Sequence, residues 1–278
     1  MNAFTKSLFA NLVFNSELLN YKNMKKINMM LLSGVASLLL SLLIITSCSS
    51  GTEKQWQSLF NGENLDNWDI KIRGFQLNDN HKNTFIVEDG LLKVSYDEYE
   101  TFDDRFGHIF YKEPFSHYIL RVEYRFVGEQ LANAPGWAYR NNGIMFHSQS
   151  AKSMELEQNF PVSVEAQLLG GDGEGERPNF SVCTPGTHVV VDGELRTEHC
   201  VTSSGKTYHG DQWVTVELHV YGDSIVHHII ENDTVLTYTN LQLSETHEPL
   251  KRGYIALQSE SHPTEFRKIE ILDLTDQY

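Results

Sequence analysis

Strict alternation of apolar and polar side chains over long runs constrains this chain more than any other feature. In Tyr118–Phe126 (YILRVEYRF), Tyr118, Leu120, Val122, Tyr124 and Phe126 share one face of an extended strand, while Arg121, Glu123 and Arg125 share the other. Trp213–Tyr221 (WVTVELHVY) repeats the pattern with Val214, Val216, Leu218 and Val220. A helix would scatter these residues around its circumference, so a period of two demands sheets with one buried face.

Phe85–Val87 and Leu91–Val94 flank Glu88-Asp89-Gly90, a hairpin signal because Asp-Gly accepts the positive φ of a tight turn. Further strands are expected at Gly143–His147, Ser163–Leu169, Ser224–Ile230, Val235–Tyr238, Gly253–Gln258 and Phe266–Leu274, and a short helix at Lys152–Gln158. No Pro-rich or Gly/Ser-rich linker interrupts residues 56–274. The expectation is one all-β domain over residues 56–278, a two-sheet antiparallel jelly-roll sandwich too long for an immunoglobulin domain. Such sheets curve, so a polar sheet face can become a concave groove.

Charge narrows the partners. The sequence has 22 Lys and Arg against 37 Asp and Glu, a formal net charge of −15. A nucleic-acid partner needs a basic face, and this balance argues against one. Neither CxxC nor HExxH occurs, so no zinc site is read from a motif.

Met29 to Ile45 carry no charge and follow Lys22, Lys25 and Lys26, the pattern of a secretory signal. Ile45-Thr46-Ser47-Cys48 resembles a bacterial lipobox, in which cleavage precedes a lipidated cysteine. The expectation is a leader over residues 1–47 with Met24 as the true start, and a tether over 48–55 lipidated at Cys48. The competing reading is a transmembrane anchor. The lipidated chain would sit in the cell envelope, facing the periplasm or on the outer-membrane surface, held by its lipid alone. Outside the cytosol Cys183 and Cys200 can pair, and closing so short a loop is worth about 3 kcal/mol in the chain-entropy account. Two buried free thiols are the alternative.

Alternation also points to chemistry. In Ser163–Leu168, Val164, Ala166 and Leu168 share one face, so Glu165 and Gln167 project together from the other. That face is either an ordinary solvated strand or the wall of a groove. In Asn142–His147, Ile144 and Phe146 point one way and His147 the other, which puts His147 beside Glu165 if the strands are neighbours. An imidazole suits proton transfer near neutral pH; a hydrogen-bonded sheet histidine is the plainer reading. Gly143 leaves room on that face for a sugar ring, or marks a bulge. Gln258, Glu260 and His262 lie at a strand exit, where loops carry function. Arg267 could hold sugar hydroxyls or pair with Glu260, Arg140 and Asn142 precede the His147 strand, and Trp137, Tyr139 and Tyr208 are stacking candidates that could equally be core.

Four segments in order resemble the 3-keto-disaccharide hydrolase family. They are Ser58–Trp68 (SLFNGENLDNW); Glu123–Phe126 with Asn142–Ile144; Val164–Leu168 (VEAQL); and Gly253–Gln258 (GYIALQ) leading to Phe266–Ile269. The resemblance implies a concanavalin A-like, glucanase-type jelly roll and cleavage of glycosides, including ones oxidised to a 3-ketone. Where relatives carry His-Gly soon after Leu-Gln, this chain reads Leu257-Gln258-Ser259-Glu260-Ser261-His262-Pro263, and it adds an insertion around Leu131–Tyr139 and the Cys183–Cys200 loop. A 3-ketone acidifies the C2 proton, so a base (Glu165 or His147) and an acid (Glu260 or His262) would serve elimination at C1. Gln167, Arg267 or a bound divalent cation would stabilise the enolate, with Arg140, Asn142 and Gln258 binding substrate. The same carboxylates could instead act on an unoxidised glycan, or the groove could bind glycan without turnover.

Overall fold

The computed structural model describes residues 19–22, 24–25 and 55–278. The chain divides into two units, residues 1–53 and 54–278. In the first, residues 19–22 and 24–25 are helical. The expected signal segment and Cys48 lie outside the described residues.

The second unit contains β1 (Gln57–Ser58), β2 (Trp68–Ile72), β3 (Phe85–Glu88), β4 (Leu91–Val94), β5 (Gly107–Tyr111), β6 (His117–Phe126), β7 (Asn141–Ser148), β8 (Val164–Leu169) and β9 (Ser181–Cys183). It continues with β10 (Thr187–Val191), β11 (Glu194–Arg196), β12 (Cys200–Val201), β13 (Val214–Tyr221), β14 (Ile225–Ile230), β15 (Asp233–Leu243), β16 (Tyr254–Ser259) and β17 (Thr264–Asp273). One sheet runs β11-β10-β15-β14-β13-β6-β17-β4-β3, with β1 on β17; the other runs β12-β9-β8-β7-β16-β5-β2. All ladders joining these strands are antiparallel, and the two sheets form the jelly-roll sandwich the alternation predicts.

The core is the interleaved inner face of both sheets. Tyr118, Leu120, Val122, Tyr124 and Phe126 are buried from β6, and Val214, Val216, Leu218 and Val220 from β13. Ile144, Phe146, Val164, Ala166, Leu168, Ile255 and Leu257 meet them from the opposing sheet. Each large aliphatic side chain fully removed from water contributes about 1.5–3 kcal/mol, which makes a one-residue register slip prohibitive.

One expectation needs correction, and one strand was missed. Lys152–Gln158 is no helix: a single 3-10 turn, Ala151–Ser153, is capped by Ser150, whose Oγ accepts from the Ser153 amide at 3.2 Å. β5 went unread because all five of its residues are buried, so it shows no alternation.

The outer face of the seven-stranded sheet explains that burial. There Phe110, Met145 and Ala256 form a small second apolar cluster, covered by Ala151 and Met154 of the 3-10 turn segment. The plug covers part of this outer face and leaves the neighbouring part to polar side chains.

Candidate active site

Strand register brings the polar residues together. Gly143 stands opposite Gln167, Met145 opposite Glu165, and Glu165 in turn opposite Cys183. On the other side of β7, β16 carries Gln258, opposite His108 of β5. Because β7 and β8 stay in register from Asn141 to Phe146, Gly143 marks no bulge between them. Its missing side chain makes room for the Glu165 carboxyl, and the predicted space for a sugar ring is taken by that acid.

A cavity of about 350 Å³ opens over this patch, at the small end of the usual ligand-pocket range. Glu165, Glu260, Gln167 and Asn141 supply its polar lining, and Trp137 and Phe160 its aromatic one. Cys183, His199 and Cys200 complete the wall. Cys183 and Cys200 sit directly opposite each other on β9 and β12 and are joined as a disulfide.

The carboxyl pair is the chemical centre. Glu165 is 5% exposed and Glu260 3%. Glu260 Oε1 accepts from Gln258 Nε2 at 3.3 Å, while its Oε2 has no partner among the described residues. Loss of solvent holds both carboxyls above the ordinary carboxylate range, and the charge of Glu165 raises Glu260 further. Two such acids ionise one after the other, so the pair holds one proton over a wide pH span. Arg177 partly offsets this by pulling Glu260 down. Its guanidinium also donates to the carbonyls of Tyr139, Gly170 (2.8 Å) and Trp137 (3.0 Å), fixing the loop that carries the indole.

Of the residues expected from sequence, Glu165, Glu260 and Gln167 line the cavity and Gln258 braces Glu260. Five do not join them. His147 has φ 45°, at a register slip between β16 and β7, and this bulge turns its ring inward. There Nε2 donates to the Gly222 carbonyl at 3.0 Å and the ring meets Tyr118 edge-on. Asn142 also faces inward: its Nδ2 donates to the Gln258 carbonyl at 2.7 Å and its Oδ1 accepts from the Gly143 amide at 2.8 Å. Arg140 is spent on the Gly210 carbonyl (2.6 Å) and Asp211 (2.8 Å), tying two loops together. Arg267 belongs to the other sheet, where it forks onto Glu123 at 2.5 and 2.7 Å and stacks over Trp213. His262 is packed edge-on against Phe126 and Tyr139, and burial followed by the charge of Arg140 lowers its pKa to about 4.

Asn141, Phe160, His199 and Arg177 were missed. Asn141 adjoins a residue that sequence did flag, and only the strand's phase separates the pair: Asn141 faces out and Asn142 in. The other three sit in loops or at a loop end, where no periodicity reports direction.

Among the described residues, the cysteine, histidine and acid group close enough to share an ion is Cys183, His199 and Cys200. Both sulfurs are bonded to each other, so this trio does not fit a cation in the oxidised protein.

A family model described as the 3-keto-alpha-glucoside-1,2-lyase-like domain matches residues 55–272. No curated protein matches by sequence. Among solved structures, a proposed glycosyl hydrolase from Parabacteroides distasonis is similar at 15% identity and TM-score 0.50, over 79% of this chain and 94% of that one. A structure from work on endo-acting O-glycanases of the human gut microbiota, which initiate mucin breakdown, is similar at 15% identity and TM-score 0.50, over 79% of this chain and 98% of that one. At that identity the likeness speaks for the fold.

Proposed function

The chain belongs to the 3-keto-alpha-glucoside-1,2-lyase-like domain family, and we propose that its Glu165–Glu260 pair cleaves a 3-keto glycoside by elimination. The observation that carries this reading is a buried carboxyl pair lining a cavity with aromatic walls. In this reading the pair shares one proton, with Glu165, seated over Gly143, as the base and Glu260, braced by Gln258, as the acid.

In the reaction, ionised Glu165 takes the C2 proton next to the ketone. The C2–H electrons pass into the enolate of the 3-ketone; as the enolate collapses they form the C1=C2 double bond, the C1–O bond breaks, and the departing oxygen takes its proton from Glu260. The Gln167 and Asn141 amides are the polar groups of the cavity able to donate to the transient enolate. The products are an enone and a free alcohol or sugar; water adding to the enone gives net hydrolysis. In this reading the lipidated Cys48 of the sequence analysis tethers the domain to the cell envelope, which detergent-phase partitioning of wild type against Cys48→Ser tests.

The paired carboxyls also support a second reading, glycosidase action on an unoxidised glycan. Incubation with matched plain and 3-keto disaccharides separates the two. Release of an enone or free 3-keto sugar from the oxidised member alone supports elimination, and cleavage of the plain member transfers the assignment to the second reading.

A further inference from the structure

His108 lies on the same outer face as the carboxyl pair, directly opposite Gln258 on the neighbouring strand. It is fully buried, and neither ring nitrogen has a partner among the described residues. Gln258 Oε1, Asn141 Oδ1 and Glu260 Oε2 are unpartnered and buried in the same way. A folded chain pairs nearly all its buried polar atoms, so four such groups gathered on one sheet face mark a surface built to be completed by something else.

Two rings flank the imidazole, Phe160 edge-on at 6.1 Å and Phe110 tilted at 6.0 Å. Phe160 also lines the cavity, so its ring meets both the open pocket and His108. Its backing is Phe106, at 5.0 Å. Burial keeps the imidazole neutral across physiological pH, so it offers one donor and one acceptor. Gln258 offers the same pair of functions through its amide. That combination matches neighbouring hydroxyls of a pyranose, each of which both donates and accepts.

We propose that His108 and Gln258 form a second, deeper sugar-hydroxyl subsite, continuous with the cavity and opened when the Phe160 ring swings aside. This deepens the glycoside reading and rests on it for the class of ligand. His108 is here a binding residue, and the carboxyl pair keeps the chemistry.

The test compares wild type with His108→Phe, His108→Gln and Phe160→Ala. Affinity for trehalose and 3-keto-trehalose is read by calorimetry, turnover by product release and folding by thermal melts. His108→Phe fills the space without polar atoms, so its melting temperature should equal or exceed that of wild type, while sugar binding weakens about tenfold or more. His108→Gln should recover part of that loss, and Phe160→Ala should bind at least as tightly as wild type. Wild-type affinity retained in a folded His108→Phe protein overturns the subsite. A wild type that binds sugar without turning it over overturns the elimination reading but leaves the subsite to be judged by the affinities. A wild type that binds neither sugar overturns both.

Discussion

Glu165 lays its carboxyl over the bare Cα of Gly143, its diagonal neighbour across β8 and β7, so closely that a Cβ built on the glycine would stand 2.4 Å from Oε1. The same Cβ would lie 2.8 Å from the carboxyl carbon. Gly143 is needed here for space alone, since it is not among the glycines with positive φ.

Gly143→Ala should therefore act through Glu165. The added methyl must push the acid off its seat, at a stability cost of about 1–3 kcal/mol for overpacking. Turnover should fall about a hundredfold, the scale of a misplacement near 1 Å at a catalytic group. Steady-state kinetics with a thermal melt check this; an alanine variant with wild-type kcat would mean the carboxyl's position is immaterial.

The pair should also set how stability depends on pH. Both acids have folded-state pKa values above the ordinary carboxylate value, so the native state binds their protons more tightly than the unfolded chain does. Their contribution is present in full below the ordinary value of about 4.3 and is lost as pH climbs through the raised range. Melting temperature measured from pH 4 to 9 should fall more steeply in wild type than in the Glu165→Gln, Glu260→Gln double variant. Parallel curves would contradict the burial of these charges.

The sandwich was legible because β6 and β13 each present one face to the core and one to water. Where the plug covers the outer face as well, alternation vanishes, and β5 with His108 went unnoticed. Glu165 and Gln167 were readable as a pair because β8 is regular, whereas His147 was misdirected by a bulge that residue identity does not announce. Arg140 and Arg267 carry guanidiniums suited to a substrate, and only three dimensions reveal that Asp211 and Glu123 already hold them. The two segments that depart from the family pattern, Leu131–Tyr139 and the Cys183–Cys200 loop, both contribute to the cavity wall through Trp137 and the disulfide.

That disulfide should matter twice. Its sulfurs span 17 residues of chain, and opening the loop should cost about 3 kcal/mol of stability. Because Cys183 faces Glu165 across the ladder, loosening β12 should also raise KM. Thermal melts and kinetics of the Cys183→Ser, Cys200→Ser variant, compared with wild type with and without reductant, check both effects; unchanged KM in a destabilised protein would confine the bond to a structural role.

Arg177 joins the wall to the acid, and its two jobs can be separated. As a cation it lowers Glu260, and as a multiple donor it holds the carbonyls of Trp137, Tyr139 and Gly170. Arg177→Met removes both, so Glu260 should keep its proton to higher pH and the alkaline limb of kcat/KM should move upward. Freed carbonyls should cost a few kcal/mol, at about 1.5–3 kcal/mol for each hydrogen bond to a charged group. Arg177→Lys keeps the charge but not the planar fork, so it should leave the limb near its wild-type place while losing much of the same stability. A pH–rate profile and a denaturant melt on both variants distinguish these outcomes. If the two profiles coincide with wild type while stability falls, Arg177 is a brace for the Trp137 loop and has no electrostatic hold on the acid.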